Sequence, residues 1–178
     1  MDLPVGLLLI FLLRLLIPLT IFKWPLAGGL ASAAVDALDT NLVKLFGVEI
    51  PNYVSTDKVL DMYYLSIELI VSLRWTNSWA KKTSIFLYVW RLVGVVAFEL
   101  TQIRPLLFIF PNLFEHFFIY FVIVKKLKKD TWLITGKRLA VVLFILWLTK
   151  VPQELILHVY QFGTPVETFV GWVKGLVN

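Results

Sequence analysis

The 178-residue chain contains no cysteine, which excludes disulfide frameworks, iron–sulfur clusters, thiolate metal sites and cysteine nucleophiles. Histidine occurs only at His116 and His158, and no HExxH pair is formed, so zinc-protease chemistry has no support. No GxSxG elbow, P-loop or dinucleotide glycine fingerprint is present. Charge is also scarce: 16% of residues are Asp, Glu, Lys or Arg, against about a quarter in an ordinary soluble domain. Any chemistry must come from a few Asp, Glu, His, Arg and Lys side chains.

What the chain does have is apolar surface. Hydrophobic residues make up 59% of it and the mean hydropathy is +0.82, values that exclude a disordered protein and point to an integral membrane protein. The length suits one domain of five or six helices of about 20 residues. The pattern predicts an all-α, polytopic membrane helix bundle in a single transmembrane domain over 1–178. Five strong spans fall at about 4–22, 57–75, 84–101, 112–124 and 138–160. A polar helix over 25–46, buried or interfacial, and an interfacial C-terminal helix over 164–178 complete it.

The first span reads as an anchor rather than a signal peptide. The small-residue run Ala31-Ser32-Ala33 follows it, but no base precedes it and Arg14 lies inside it. Residues 102–111 are bracketed by Arg104-Pro105 and Pro111-Asn112, which predicts a tight hairpin or a short re-entrant piece. The 112–124 span is short for a bilayer unless residues 106–111 contribute.

Basic residues concentrate in two loops, at Arg74, Lys81 and Lys82 and at Lys125, Lys126, Lys128, Lys129, Lys137 and Arg138, which places both in the cytoplasm. The loop at 47–56 then faces outside, and the N-terminal orientation depends on whether 25–46 crosses. The pI near 9.5 reflects these juxtamembrane loops, where the charge serves topology and anionic lipid; nucleic acid is not expected as a partner. Trp24, Trp75, Trp79 and Trp132 sit at span ends, as an aromatic belt requires.

The placement of polar residues is the most informative feature. Seven acids fall within spanning or buried segments, Asp36, Asp39, Asp61, Glu68, Glu99, Glu115 and Glu154, against the four bases Arg14, Arg91, Arg104 and Lys150. Protonated carboxyls, a bound cation or a hydrated cavity are the physical ways to resolve such an excess. On a helical wheel Asp57, Asp61, Tyr64 and Glu68 lie within about 60° of one another, and Lys150, Glu154, His158 and Gln161 within about 80°. Asn112, Glu115, His116 and Tyr120 cluster comparably, and Arg91 and Glu99 lie about 80° apart. Convergence of these edges on a common interior is the economical arrangement; helix-to-helix ion pairs and hydrogen bonds are the structural alternative.

These patterns define the candidate site residues. Asp61, Glu68, Arg91, Glu99, Glu115, His116, Lys150, Glu154 and His158 form the expected substrate- or ion-binding set, with Lys150 paired to Glu154. Asp36-x-x-Asp39 puts two carboxylates on one helix face, as required to hold a divalent metal against a phosphate or diphosphate. Arg14, the sole charge of the first span, is expected to neutralise Asp36 or Asp39. Three functions follow in order. The first is a channel or transporter, in a small oligomer, for protons, a cation or a small polar solute. The second is an intramembrane enzyme on a lipid or prenyl-linked substrate, with Asp36, Asp39 and a divalent metal. The third is a non-catalytic subunit or assembly factor of a membrane complex. All three locate the chain in the cell membrane as a multi-pass protein whose first partner is the lipid bilayer.

Overall fold

The computed structural model describes residues 5–45, 53–103, 105–129 and 135–154, with side chains except at 5–7, 40–45, 53 and 151–154. Seven α-helices and a 3-10 helix follow one another, and no strand occurs among the described residues. They are α1 (Val5–Leu16), the 3-10 helix Ile17–Phe22, α2 (Pro25–Leu45), α3 (Tyr53–Ser72), α4 (Ser78–Thr101), α5 (Pro105–Ile109), α6 (Leu113–Lys126) and α7 (Gly136–Glu154). The all-α expectation therefore holds. The expected C-terminal helix over 164–178 and the end of the last span lie outside the described residues, as do Arg104 and Trp132.

Local chemistry explains the boundaries. Pro18 removes a backbone donor near the end of α1, and the chain tightens there into the 3-10 helix. Lys23 and Trp24 make the turn, both N–H groups bonding to the Thr20 carbonyl, and Pro25 opens α2 at the position where its missing N–H is harmless. Asn77 caps α4, its side chain accepting from the Ala80 N–H at 3.0 Å, and Gln102 ends that helix in the left-handed region at φ 57°.

Residues 105–112 form the one-turn α5 and a turn through Phe110 before α6, in keeping with the hairpin expected there. Arg91 and Gly94 of α4 hold this turn: Arg91 Nη1 donates to the Phe110 carbonyl at 2.9 Å, and a β-carbon on Gly94 would lie 2.2 Å from Phe110 Cβ. Taken through the turn, Pro105–Lys126 is one 22-residue apolar stretch, longer than the 112–124 span read from the sequence.

Among the described residues two helices are long and apolar enough to cross a membrane, α4 and Pro105–Lys126. Of the five spans expected, the one at 138–160 extends beyond the described residues, and two others fall short for identifiable reasons. The first apolar helix is divided at Leu16 and totals fewer than 18 residues in its apolar stretch. Helix α3 has the length, but Asp57, Lys58, Asp61 and Glu68 interrupt it.

The core is aromatic at one end and ionic at the other. Trp75, just past α3, packs its ring against Phe118 at 5.6 Å and Phe121 at 4.2 Å, centroid to centroid, with Phe114, Phe117, Leu65, Leu87, Leu139 and Val142 around them. Arg74 after α3, Lys81 and Lys82 at the start of α4, Lys125 to Lys129 around the end of α6 and Lys137 and Arg138 at the start of α7 gather at this aromatic end; Gly136 faces the Trp79 ring. The opposite, N-terminal half of α3 carries the charges. The outer surface is apolar: Leu8, Leu12 and Leu16 of α1, Phe86, Val93 and Leu100 of α4, and Val141, Phe144 and Leu148 of α7 are all exposed.

Gly28 marks a second close approach, here against backbone. A β-carbon there would sit 2.6 Å from the Ile21 backbone nitrogen and 2.7 Å from Thr20 Oγ1, so α2 folds back on the 3-10 helix only because the side chain is absent. Gly28→Ala is expected to lower stability by roughly 1–3 kcal/mol through overpacking. Gly136→Ala, whose β-carbon would meet the Trp79 ring at an ordinary 3.7 Å, is expected to be neutral. Thermal unfolding of the two variants in one mild detergent measures the contrast.

Candidate functional site: a buried aspartate cluster

Four aspartates from two helices meet around one arginine from a third. Asp36 and Asp39 stand at i and i+3 in the second half of α2, and Asp57 and Asp61 at i and i+4 in the first turns of α3, so each pair shares a helix face. Arg14, 4% exposed, enters from α1. Its Nη1 donates to Asp39 and to Asp57 at 2.7 Å, and its Nη2 to Asp36 and to Asp61 at 2.8 Å. Lys58 Nζ donates to Asp57 Oδ2 at 2.6 Å and to Asp61 Oδ2 at 2.9 Å. Arg91 of α4 closes the group with Nη2 3.8 Å from Asp61 Oδ2.

The electrostatics of this group are close to balance. Four carboxylates face three bases, which leaves one formal negative charge. An unpaired charge of this kind in a low-dielectric interior is expensive, and the dense pairing is what makes the burial possible. Arginine suits the position because its planar fork offers donors in two directions at once; an ammonium is a point donor. The neutralisation expected for Arg14 thus extends beyond Asp36 or Asp39 to all four aspartates.

Three of these carboxylates lie close enough together that they could hold a metal ion: one oxygen from each of Asp36, Asp39 and Asp57 lies within 4.8 Å of the others. The width across a Mg²⁺ octahedron is about 4 Å, comparable with that spacing. All three are hard oxygen donors, the type Mg²⁺, Mn²⁺ and Ca²⁺ prefer.

The other candidate residues distribute unevenly. Glu68 and Glu115 are buried at 0% and 8% exposure, and Tyr64 lies between them and the aspartates, within the electrostatic reach of all four acids Glu68, Glu115, Asp36 and Asp61. Asn112 and Glu115 are partners: the Asn112 amide donates to Glu115 Oε2 at 2.9 Å and its Oδ1 caps α6. His116 is half-buried and Lys150 buried. The Glu154 side chain and His158 lie outside the described residues. Glu99 is a correction: although it stands one turn beyond buried Val95, it is exposed near the C-terminal end of α4 and does not join the interior. The angle of about 80° between Arg91 and Glu99 is wide enough for the two to part at the helix boundary.

Asp57, Lys58 and Tyr64 belong to the interior group although the candidate set omits them. The signal for Asp57 was its i, i+4 relation to Asp61. Nothing in the sequence distinguished Lys58 from a solvated base.

The chain matches no known protein-family model, no curated protein and no solved structure.

Removing the central cation should be the most damaging single change in the cluster. Arg14→Gln leaves buried Asp39 and Asp61 short of a counter-charge and is expected to cost about 3–5 kcal/mol, whereas Arg14→Lys retains the charge without the fork and loses less. The melting temperatures of the two variants in detergent, compared with wild type, test this order.

Proposed function

We propose that the chain is a multi-pass cell-membrane enzyme that uses a divalent metal, held by Asp36, Asp39 and Asp57 with Asp61 beside them, to act at the phosphate or diphosphate of a lipid or prenyl-linked substrate. The observation that carries the reading is the meeting of four aspartates from α2 and α3 with three bases in a buried position.

Membrane insertion is supported by the distribution of surface and interior. Arg14, Asp39, Asp61, Glu68 and Arg91 are buried while large aliphatic and aromatic side chains cover the outside, the inverse of a protein dissolved in water. Beyond the two helices that qualify by length and composition, we read α1 with its 3-10 extension, α3 and α7 as further crossings. Their outward faces are apolar and Arg14, Lys58, Asp61, Glu68 and Lys150 are buried, while the exposed Lys137 and Arg138 stand at the start of α7.

The charges suit a phosphate substrate. The cluster carries one formal negative charge, and a divalent ion would convert this to one positive charge in a site of low dielectric, which attracts a phosphate. A bound divalent ion would supply Lewis-acid polarisation of a phosphoryl oxygen. Asp36, Asp39 and Asp57 would hold the ion, Asp61 holds the Lys58 ammonium at 2.9 Å, and Arg14 and Lys58 would offer donors to the phosphate oxygens. Arg91 has a buried Nε without a hydrogen-bond partner, a spare donor on the same side. An apolar groove of about 500 Å³, lined by Phe86, Trp90, Ile109, Leu113 and Phe144, opens between α4, α6 and α7 and suits an acyl or prenyl chain.

This ranks the enzyme above conduction. The conduction reading rested on one converging polar interior that included Glu99, and Glu99 is on the outside. The aspartates moreover are engaged in direct ion pairs.

Turnover of a phosphate- or diphosphate-linked lipid is expected to require Mg²⁺ or Mn²⁺ and to stop on chelation. Asp36→Asn and Asp57→Asn should each reduce it about a hundredfold or more while Glu99→Gln leaves it unchanged. Calorimetric titration of Mg²⁺ and Mn²⁺ into the detergent-solubilised protein reads the site without knowledge of the substrate. Folded aspartate variants that bind the ion as wild type does would remove the assignment.

A further inference from the structure

Glu68 is buried deeper along α3, two turns from Asp61, and neither of its oxygens has a hydrogen-bond donor. Its surroundings are mostly apolar: a β-carbon on Gly29 of α2 would be in ordinary contact with Glu68 Oε1 at 3.4 Å and with the Phe118 ring of α6 at 3.5 Å. Arg14, Lys58 and Arg91 are engaged at the aspartates.

A second observation bears on the same place. The Tyr64 hydroxyl, one turn along α3 from Glu68, is buried at 2% exposure and also lacks a partner, although it lies within the fields of both Glu68 and Glu115. Asn112 fixes Glu115 from the far side by its amide bond to Oε2. Both Glu68 oxygens and the Tyr64 hydroxyl, one turn apart on one face of α3, are therefore buried without a hydrogen-bond partner. Polar groups left unmet in this way are costly in a dry interior, and a cation or proton shared between them resolves both.

We propose that Glu68, Glu115 and Tyr64 bind one monovalent cation, an alkali-metal ion or a proton, at a site inside the bundle that is separate from the aspartate cluster. The donors are hard oxygens, which suits both. A small divalent ion is disfavoured because Mg²⁺ keeps several of its waters and Glu68 is fully buried. Glu68 and Tyr64 supply the oxygens from α3, and Asn112 holds the Glu115 oxygen in position.

The test is the melting temperature of the full chain in mild detergent, in sodium or potassium chloride against choline chloride at equal ionic strength, and across pH from about 6 to about 9. A ligand that binds the folded state alone raises the melting temperature in proportion to its occupancy. Wild type should melt higher in sodium or potassium than in choline if the ion is a metal. If it is a proton, salts should be equivalent and the melting temperature should fall as pH rises. Glu68→Gln, neutral and of the same shape, should abolish whichever response is present. Tyr64→Phe should shift the sodium or potassium concentration needed, or the midpoint of the pH response, by roughly tenfold in ion concentration.

The same responses should persist in Asp36→Asn, which separates this site from the aspartate cluster and lets either assignment fail alone. A wild-type melting temperature indifferent to both salt and pH, or a Glu68→Gln protein that responds as wild type does, would overturn the proposal.

Discussion

The fold depends on one buried guanidinium. Arg14 brings α1, α2 and α3 together by donating to Asp36, Asp39, Asp57 and Asp61, and without it the two aspartate pairs would repel across the helix interface they now form. Ion pairs of this density take the place of the apolar contacts that hold a soluble core, because in lipid the burial of apolar side chains gives little reason for helices to associate. The constraint extends outward. Tyr63 of α3 donates to the Leu15 carbonyl at 2.9 Å, and Arg91 links Asp61 to the turn before α6, so α4 and α6 take their positions from the same centre.

The interior built around that centre is graded from charge to hydrocarbon along α3. The aspartates and their three bases occupy its first turns, Tyr64 and Glu68 its middle, and the Trp75, Phe117, Phe118 and Phe121 rings its end. The basic loops lie at the aromatic end. The gradient separates two chemistries. At the aspartates anionic oxygens and cationic donors alternate, which suits a metal with a phosphate. At Glu68 both oxygens stand without a donor, whereas Glu115 accepts from Asn112. One helix thus carries two buried acidic groups of different character.

Much of this was legible from residue spacing. The all-α class follows from composition, and the stripe Asp57, Asp61, Tyr64 and Glu68 follows from the helical repeat; all four face inward, with Asp57 the most accessible. The pairing of Arg14 with Asp36 and Asp39 was legible because Arg14 is the sole charge in an apolar run. Less was legible where a tertiary choice decided the outcome. Glu99 had the same local character as Glu68, an acid in an apolar helix, but it falls where α4 has no neighbour to bury it. Asn112 and Glu115 read as a polar edge and also serve as the start of a helix, since an asparagine three residues before a glutamate is a capping pattern as well as a helix-face pattern.

The sequence by itself determined the helices, their boundaries at Pro18 and Pro25, the apolar exterior and the face on which each acid stands, because these depend on the backbone and on residues within one or two turns. Only the structure showed that α4 begins at the Asn77 cap rather than near residue 84, and only the tertiary structure decided which faces meet. It placed α2 against the 3-10 helix through Gly28, recruited Lys58 to the aspartates, and left the Glu68 oxygens buried without a partner. The reason is physical: a helix repeat specifies direction about one axis, whereas the partner of a buried charge is selected by how several axes cross and by how many bases remain to be shared.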